Sequence, residues 1–541
     1  MLCRHLGSIP GLLDPSASGL SLGCTTSGDR GDCHACVKIH DLQRKAEDTL
    51  LNLENILAQV YEAKTARNNV HSMILYKMPN EITAAIFTMV LDDADSDPCL
   101  DEPPTRSEKL LCALTLAGVC TKWRDVAISA PRLWADVHVF LHSQNTSDDL
   151  NILKCMMERS KAVPLTLRLF LRDAGKFSLE NLGESLSIVG KEYQRWFALR
   201  TRLPLEVIDF LFEKTGSLSG LSSLQMHWND RLDGLTQRMQ LPPFQAKELQ
   251  PSRLSLTNIT FMRLNISWKN VTHVVAHQFT NAQAVSLLRA APMLQSCIFK
   301  CLTYSKYVEQ GRIFVHRKLR YLSYHSEPDR YGLGSILAFF KFPSLERLDF
   351  TGLTVNDCTV LVDLFTRCNP PLKEVHLQDA IMGTGNYLIT LLQAIPGVER
   401  LHLSPDPMYK IEWTDFFQNL AIDFPPTQES NGAAEESAPQ GFLPCLQSLE
   451  VTYWRYFPWE YVPRILKKRG SSSAVQRPLK KFAIHKPGEI GANFGVPRNV
   501  FQELLSLRRE GAHNECTVIL GGIDWVQASS VAHGLLPAAH I

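Results

Sequence analysis

The sequence has almost no net charge. Its 56 basic residues stand against 55 acidic ones, a formal charge of +1. That leaves no basic excess for a general nucleic-acid or anionic-membrane binder. Long apolar runs are also missing. The most apolar stretch, 110–119, is too short for a bilayer, and residues 1–14 hold no apolar core of the signal-peptide kind. The 14 cysteines are scattered, few at matched short spacings, as expected of reduced thiols. A soluble cytoplasmic or nuclear protein is expected, with neither membrane nor nucleic acid as a partner. With 45% hydrophobic against 21% charged residues, the chain is not mainly disordered.

Catalytic signatures are equally scarce. There is no phosphate-cradling Gly loop, no H-E-x-x-H and no dinucleotide fingerprint. Residues 19–23 spell G-x-S-x-G, but the strand and helix that this elbow needs on either side are absent from the pattern. Cys33 and Cys36, with Cys24 and His40 near, form one lone pair where a closed zinc site wants four ligands. The role of that pair stays open. No enzyme, metal or cofactor is expected.

What is present is organisation. Residues 1–38 are rich in Gly, Ser and Asp and read as a disordered tail. Over 39–76 the pattern changes. Ile39, Leu42, Ala46, Thr49, Leu53, Ile56, Val60, Ala63, Arg67 and Val70 recur at steps of three and four, and no Gly or Pro interrupts 39–74. This is the heptad seam of one long helix. Such a seam needs a partner surface, either the neighbouring domain of the same chain or a second copy in a homodimer through 39–74.

Residues 77–140 read as a small helical cluster. Pro79 suits the first turn of a helix, where its missing N–H leaves nothing unpaired. Ile82, Ala85, Ile86, Met89 and Val90 mark one face of that helix, 92–109 is an acidic, Pro-containing loop, and 110–128 reads as a second helix. Ala130-Pro131 ends it, because Pro disfavours helical geometry in the residue before it. So small a cluster cannot enclose all its apolar side chains, and the exposed remainder marks a partner site.

Residues 141–525 repeat. An L-x-x-L-x-L spacing starts at Val271, Leu294, Leu319, Leu345, Leu372 and Val398, with steps of 23 to 27 residues, and returns at Leu446 and Leu479. The segments at Val163, Leu221 and Leu254 are degenerate members. A step near 26 with this core is the leucine-rich-repeat signature, in which strand-and-helix units stack into a solenoid. Segments 360–365 and 387–392 read as helices between strands. The long gap after Val398 holds a helix at 413–422 and a disordered insertion at 425–440, and 526–541 reads as a frayed tail. The fold class is α/β: an N-terminal helix, a helical cluster, then a curved parallel sheet with outer helices.

The cluster resembles an F-box. The matches are Met78-Pro79, Glu81-Ile82, Ile86-Phe87, Val119-Cys120 followed by Trp123-Arg124, Pro131, and Leu133-Trp134. They cover 77–134, and the layout of long helix, box and degenerate repeats is similar to a large family of fungal F-box proteins. Met78 replaces the usual Leu, and the 92–109 loop is longer than the compact family pattern. The resemblance implies a non-catalytic substrate adaptor of a cullin-type ubiquitin ligase. It would bind the Skp-type adaptor through Pro79, Ile82, Ile86, Leu111, Leu114, Val119, Cys120 and Trp123. An unknown protein substrate would bind the repeats. The alternative is a coiled-coil and repeat scaffold that engages no ligase.

In each repeat the residue between the last two apolar positions points away from the core by strand alternation. This sets Val275, Ile298, Ser323, Asp349, His376, His402, Glu450 and Ala483 in one expected row. Asp349, His376, His402 and Glu450 are its contiguous polar stretch. They read as a solvated strand face or as the substrate face.

Overall fold

A computed structural model of the chain describes residues 34–71, 78–93, 108–142, 147–171, 179–213, 215, 218–227, 249–259, 265–303, 312–325, 336–380, 386–406, 413–422, 441–453, 457–466, 478–486, 496–509, 516–520 and 523–524. The G-x-S-x-G run, Cys24, Cys33, the 425–440 insertion, the 526–541 tail and most of the 92–109 loop lie outside them. The chain divides into two compact units, 1–92 with 114–127, and 93–113 with 128–541.

The first unit opens with helix α1, His34–His71. It starts five residues before the expected tail ends. Its 38 residues contain no Gly or Pro and extend for about 57 Å. Helix α2 follows, Asn80–Asp93. The Pro79 carbonyl accepts the N–H of Ile82 and of Thr83, both at 3.1 Å, which fixes its first turn. Thr83, Phe87 and Leu91 form its buried stripe.

The spacing predicts one helix over 110–128, but two are found: α3, Glu108–Val119, and α4, Thr121–Ser129. The break falls at Cys120. Its sulfur accepts the N–H of Trp123 at 3.4 Å, and Arg124 donates from Nε back to the Ala117 carbonyl at 3.2 Å. Cys120 thus caps α4 while Arg124 satisfies the end of α3. Apolar periodicity does not register such a break, because it is made by side-chain and backbone hydrogen bonds at Cys120 and Arg124.

The second unit is built on one 15-stranded sheet. Its strands are β1 Asp136–Leu141, β2 Leu165–Leu171, β3 Trp196–Arg202, β4 Ser223–His227, β5 Arg253–Thr257, β6 His273–His277, β7 Ser296–Lys300, β8 Tyr321–His325, β9 Arg347–Thr351, β10 Glu374–Ala380, β11 Arg400–Pro405, β12 Ser448–Thr452, β13 Lys481–Lys486, β14 Cys516–Leu520 and β15 Ile523–Asp524. Order in the sheet follows order in the chain, and neighbours are parallel except for the closing β14–β15 pair. The sheet begins at Asp136, inside the segment read as the helical cluster. Leu133-Trp134, the end of the F-box-like motif, also belongs to this unit. Trp134 is buried under the guanidinium of Arg159, 4.5 Å from its ring centroid.

Helices alternate with the strands: α5 Ser147–Arg159, α6 Leu179–Lys191, α7 Leu205–Glu213, α8 Asn281–Ala290, α9 Val355–Cys368, α10 Asn386–Gln393, α11 Trp413–Ala421, α12 Val462–Leu466 and α13 Arg498–Arg509. Crossovers of one hand between sequential parallel strands fall on one face of a sheet. Burial agrees, since residues along β4, β6, β9 and β12 alternate between half-buried and buried. The buried positions are the apolar ones of L-x-x-L-x-L, such as Leu348 and Phe350. Each fully buried side chain of that size contributes about 2 kcal/mol.

Local signals agree with this arrangement. Thr280 with Gln283 and Thr354 with Asp357 make capping boxes at the starts of α8 and α9. Four strand exits share one turn. Asn258, Gln278, Cys301 and Gly352 take positive φ; the first three donate their N–H to the carbonyl of the last residue of the next strand and Gly352 to that of Gln378 near the end of β10, at 2.9 to 3.1 Å. Cys301 is therefore a half-exposed turn residue, while Cys297 is a buried core thiol. No helix among the described residues is long and apolar enough to cross a membrane.

Candidate functional site

Two surfaces stand out, one on each unit. On the first, α2 has a second apolar stripe beside its buried one. Ile82 is 50% exposed and Ile86 40%, and Met89 and Val90 continue the line, also exposed. Spacings of four, three and one put them on one helical face. Leu114 and Val119 on α3 are exposed as well, Val119 at 58%; Leu111, which belongs to the second unit, is also exposed. Pro79 is exposed at the entry to α2.

The remaining two expected contact residues do internal work. Cys120 caps α4, as described, and Trp123 meets Phe87 edge to face. Both are half-buried. The residues outside the expected set are Met89 and Val90, legible in the sequence as part of the α2 face. The heptad helix α1 is also uncovered: Ile39, Leu42, Leu53, Ile56 and Val60 are all more than 40% exposed.

On the second unit, strand register aligns the eight row residues. Val275 pairs with Ile298, Ile298 with Ser323, Ser323 with Asp349, Asp349 with His376, His376 with His402, His402 with Glu450 and Glu450 with Ala483. The imidazoles of His376 and His402 lie 5.4 Å apart between ring centroids.

This polar stretch is closed by the parallel row two residues earlier in each strand. Arg347 donates from Nε and Nη2 to the Asp349 carboxylate at 3.1 and 2.9 Å, and the Tyr321 hydroxyl donates to it at 2.6 Å. His376 bridges Asp349 at 3.3 Å and Glu374 at 3.0 Å. Arg400 donates from Nε to Glu374 at 3.0 Å, and Lys481 pairs with Glu450. Burial, then the Asp349 bond, pushes the Tyr321 phenol up. The Lys481 hydrogen bond holds Glu450 below the usual carboxylate range. Burial lowers His402, with His376 adding to it and Glu450 opposing it. Tyr321, Arg347, Glu374, Arg400 and Lys481 were not singled out from sequence. Arg347 with Asp349 and Glu374 with His376 pair within one strand, whereas Tyr321, Arg400 and Lys481 reach partners 26 or more residues away, a relationship that spacing along the chain does not show.

A further ionic cluster sits at the start of the sheet. Asp136 is reached by Arg168 Nη2 at 3.0 Å, Lys109 Nζ at 3.3 Å and His138 Nε2 at 3.2 Å. Burial alone would raise its carboxyl. The contact with His138 and the charges of Arg168 and Lys109 outweigh that and hold it at about 2.

Every carboxylate in the Asp349–Glu450 stretch thus has a basic partner, which favours a static charge lattice over acid–base chemistry. Among the described residues, no group of three or more His, Cys, Asp or Glu side chains converges on a metal position. No protein-family model and no curated protein matches this chain.

Proposed function

We propose that this chain is a substrate-recognition adaptor of a cullin-type ubiquitin ligase. The segment 77–134 binds the Skp-type adaptor, and the sheet, read as a degenerate leucine-rich-repeat solenoid, carries the target protein. The observation that carries the reading is the uncovered apolar stripe of α2, Ile82, Ile86, Met89 and Val90, set within the F-box-like order of motifs. A water-exposed line of four large apolar side chains beside a buried stripe is what a helix-binding partner would cover. The role involves no chemistry of its own, only placement of a bound target near the ligase. It fits a cytoplasmic or nuclear protein.

Affinity purification from cells, with and without proteasome inhibition, tests it. The Skp-type adaptor and a cullin should co-purify in both, and substrate should accumulate on the chain when the proteasome is blocked. Absence of the adaptor from both samples would remove the ligase reading.

A second reading, a scaffold without ligase engagement, has one observation in its favour. The heptad residues of α1 face solvent, so that helix is open to a second copy.

A further inference from the structure

The open face of the sheet changes character along its length. From β9 to β13, carboxylates and cations alternate and neutralise each other, as described above. From β2 to β8 none of the described strand positions on this face holds a carboxylate. The register aligns three face positions on each of these seven strands. Five of the positions hold cations: Arg168, Arg200, Arg202, Arg253 and Lys300. Four more hold His227, His273, His277 and His325. The rest are neutral. The chain as a whole has 56 basic and 55 acidic residues, so this sorting arises from position and not from composition.

Arg168 is engaged by Asp136. Arg253 and Lys300 project from β5 and β7, are exposed, and have no ion-pair partner among the described residues. On the same strands Ser255 and Ser296 leave small hydroxyl side chains beside them, and His273, Val275 and His277 of β6 stand between.

We infer that the open face of β2–β8 is a docking surface for an extended acidic protein segment. The inference rests on reading the sheet as the target-bearing part of the chain, and it names the chemistry of the target. Seven strands about 4.8 Å apart span roughly 29 Å, the length of about nine extended residues. Complementary charge would steer such a segment and fix its register. Nucleic acid fits less well. Phe170 and Tyr321, at the two ends, are the only large aromatic rings on the face, which leaves only separate imidazoles for base stacking between them.

The test uses the full chain and a fluorescent peptide of about nine residues alternating Glu and Gly. Binding is read by anisotropy at low salt, where exposed charges are screened least. The peptide should bind, and R253E with K300E should weaken it by about tenfold or more. R253Q with K300Q should weaken it less. K191E with K318E, two exposed lysines off this face, changes net charge equally and should leave binding within about twofold.

No binding at about 1 mM peptide would overturn the inference, as would equal losses in the face and off-face variants. Tighter binding of an oligothymidylate of equal charge would replace it with a nucleic-acid surface. Co-purification of the Skp-type adaptor with R253E/K300E is a separate readout. Absence of the adaptor from the wild-type chain removes the ligase reading, and absence of peptide binding by the wild-type chain removes only this one.

Discussion

The ring of Phe87 on α2 meets the indole of Trp123 on α4 edge to face, with centroids 4.9 Å apart. Phe87 is 2% exposed and Trp123 half-buried. F87A should cost about 3–4 kcal/mol and W123A about 2, since less of the indole is covered. The double-mutant cycle should give a coupling of about 1 kcal/mol. Urea unfolding measures all three, and additive losses would mean the rings only lie side by side. Loss of adaptor binding in W123A would accordingly report on folding and not on contact.

The exposed stripe allows a cleaner test. I82D with I86D should abolish capture of the Skp-type adaptor. Each change sits at a solvent-facing position, so the melting curve should shift by no more than about 0.5 kcal/mol per substitution. Adaptor capture at the wild-type level in this folded variant would exclude α2 as the contact.

Helix α1 bears on self-association. Its seam is exposed from Ile39 to Arg67, about four heptads, long enough for a two-stranded coiled coil. Sedimentation should show a dimer that L53D with I56D converts to monomer. An unchanged monomer in wild type would leave the seam to another partner.

Acid stability should depend on Asp136. Its folded-state carboxyl sits at about 2, below an unfolded value near 3.9. The folded state therefore binds that proton less readily. The resulting stability, about 2 kcal/mol, is fully present above about pH 4 and is lost as pH falls toward 2. D136N should remove this part of the pH dependence and lower stability at pH 7 by about 3 kcal/mol, because Arg168 and Lys109 lose their counter-charge in a mostly buried site. Denaturation at pH 3 and pH 7 gives both numbers.

A second, milder acid effect should come from histidines. Burial depresses His273, His316, His325 and His402. Each folded-state value lies below the unfolded one near 6.5. The unfolded chain then takes up protons first, and stability declines as pH drops below about 6.5. His316 is the most buried of these, with Nε2 3.0 Å from the Ala291 carbonyl, so H316N should flatten the slope between pH 7 and 5.5 more than H273N. Equal slopes in the two variants would remove His316 from the account.

The sequence by itself determined where the repeats lie and which side chains share a row. Apolar residues at L-x-x-L-x-L spacing can bury only one face, so strand positions, their phase and the Asp349–His376–His402–Glu450 alignment follow from the pattern. Helices α9 and α10 were legible for the same reason. Tertiary structure decided the rest. It split the 110–128 helix at Cys120 through side-chain caps, and it brought β1 and β3 into the sheet although neither had been assigned to a repeat. It also paired Glu374 and Glu450 with Arg400 and Lys481, and set the strand positions of the β2–β8 face side by side without a carboxylate. Those outcomes depend on which residues of distant repeats become neighbours about 4.8 Å apart, and register across the sheet fixes that, not spacing along the chain.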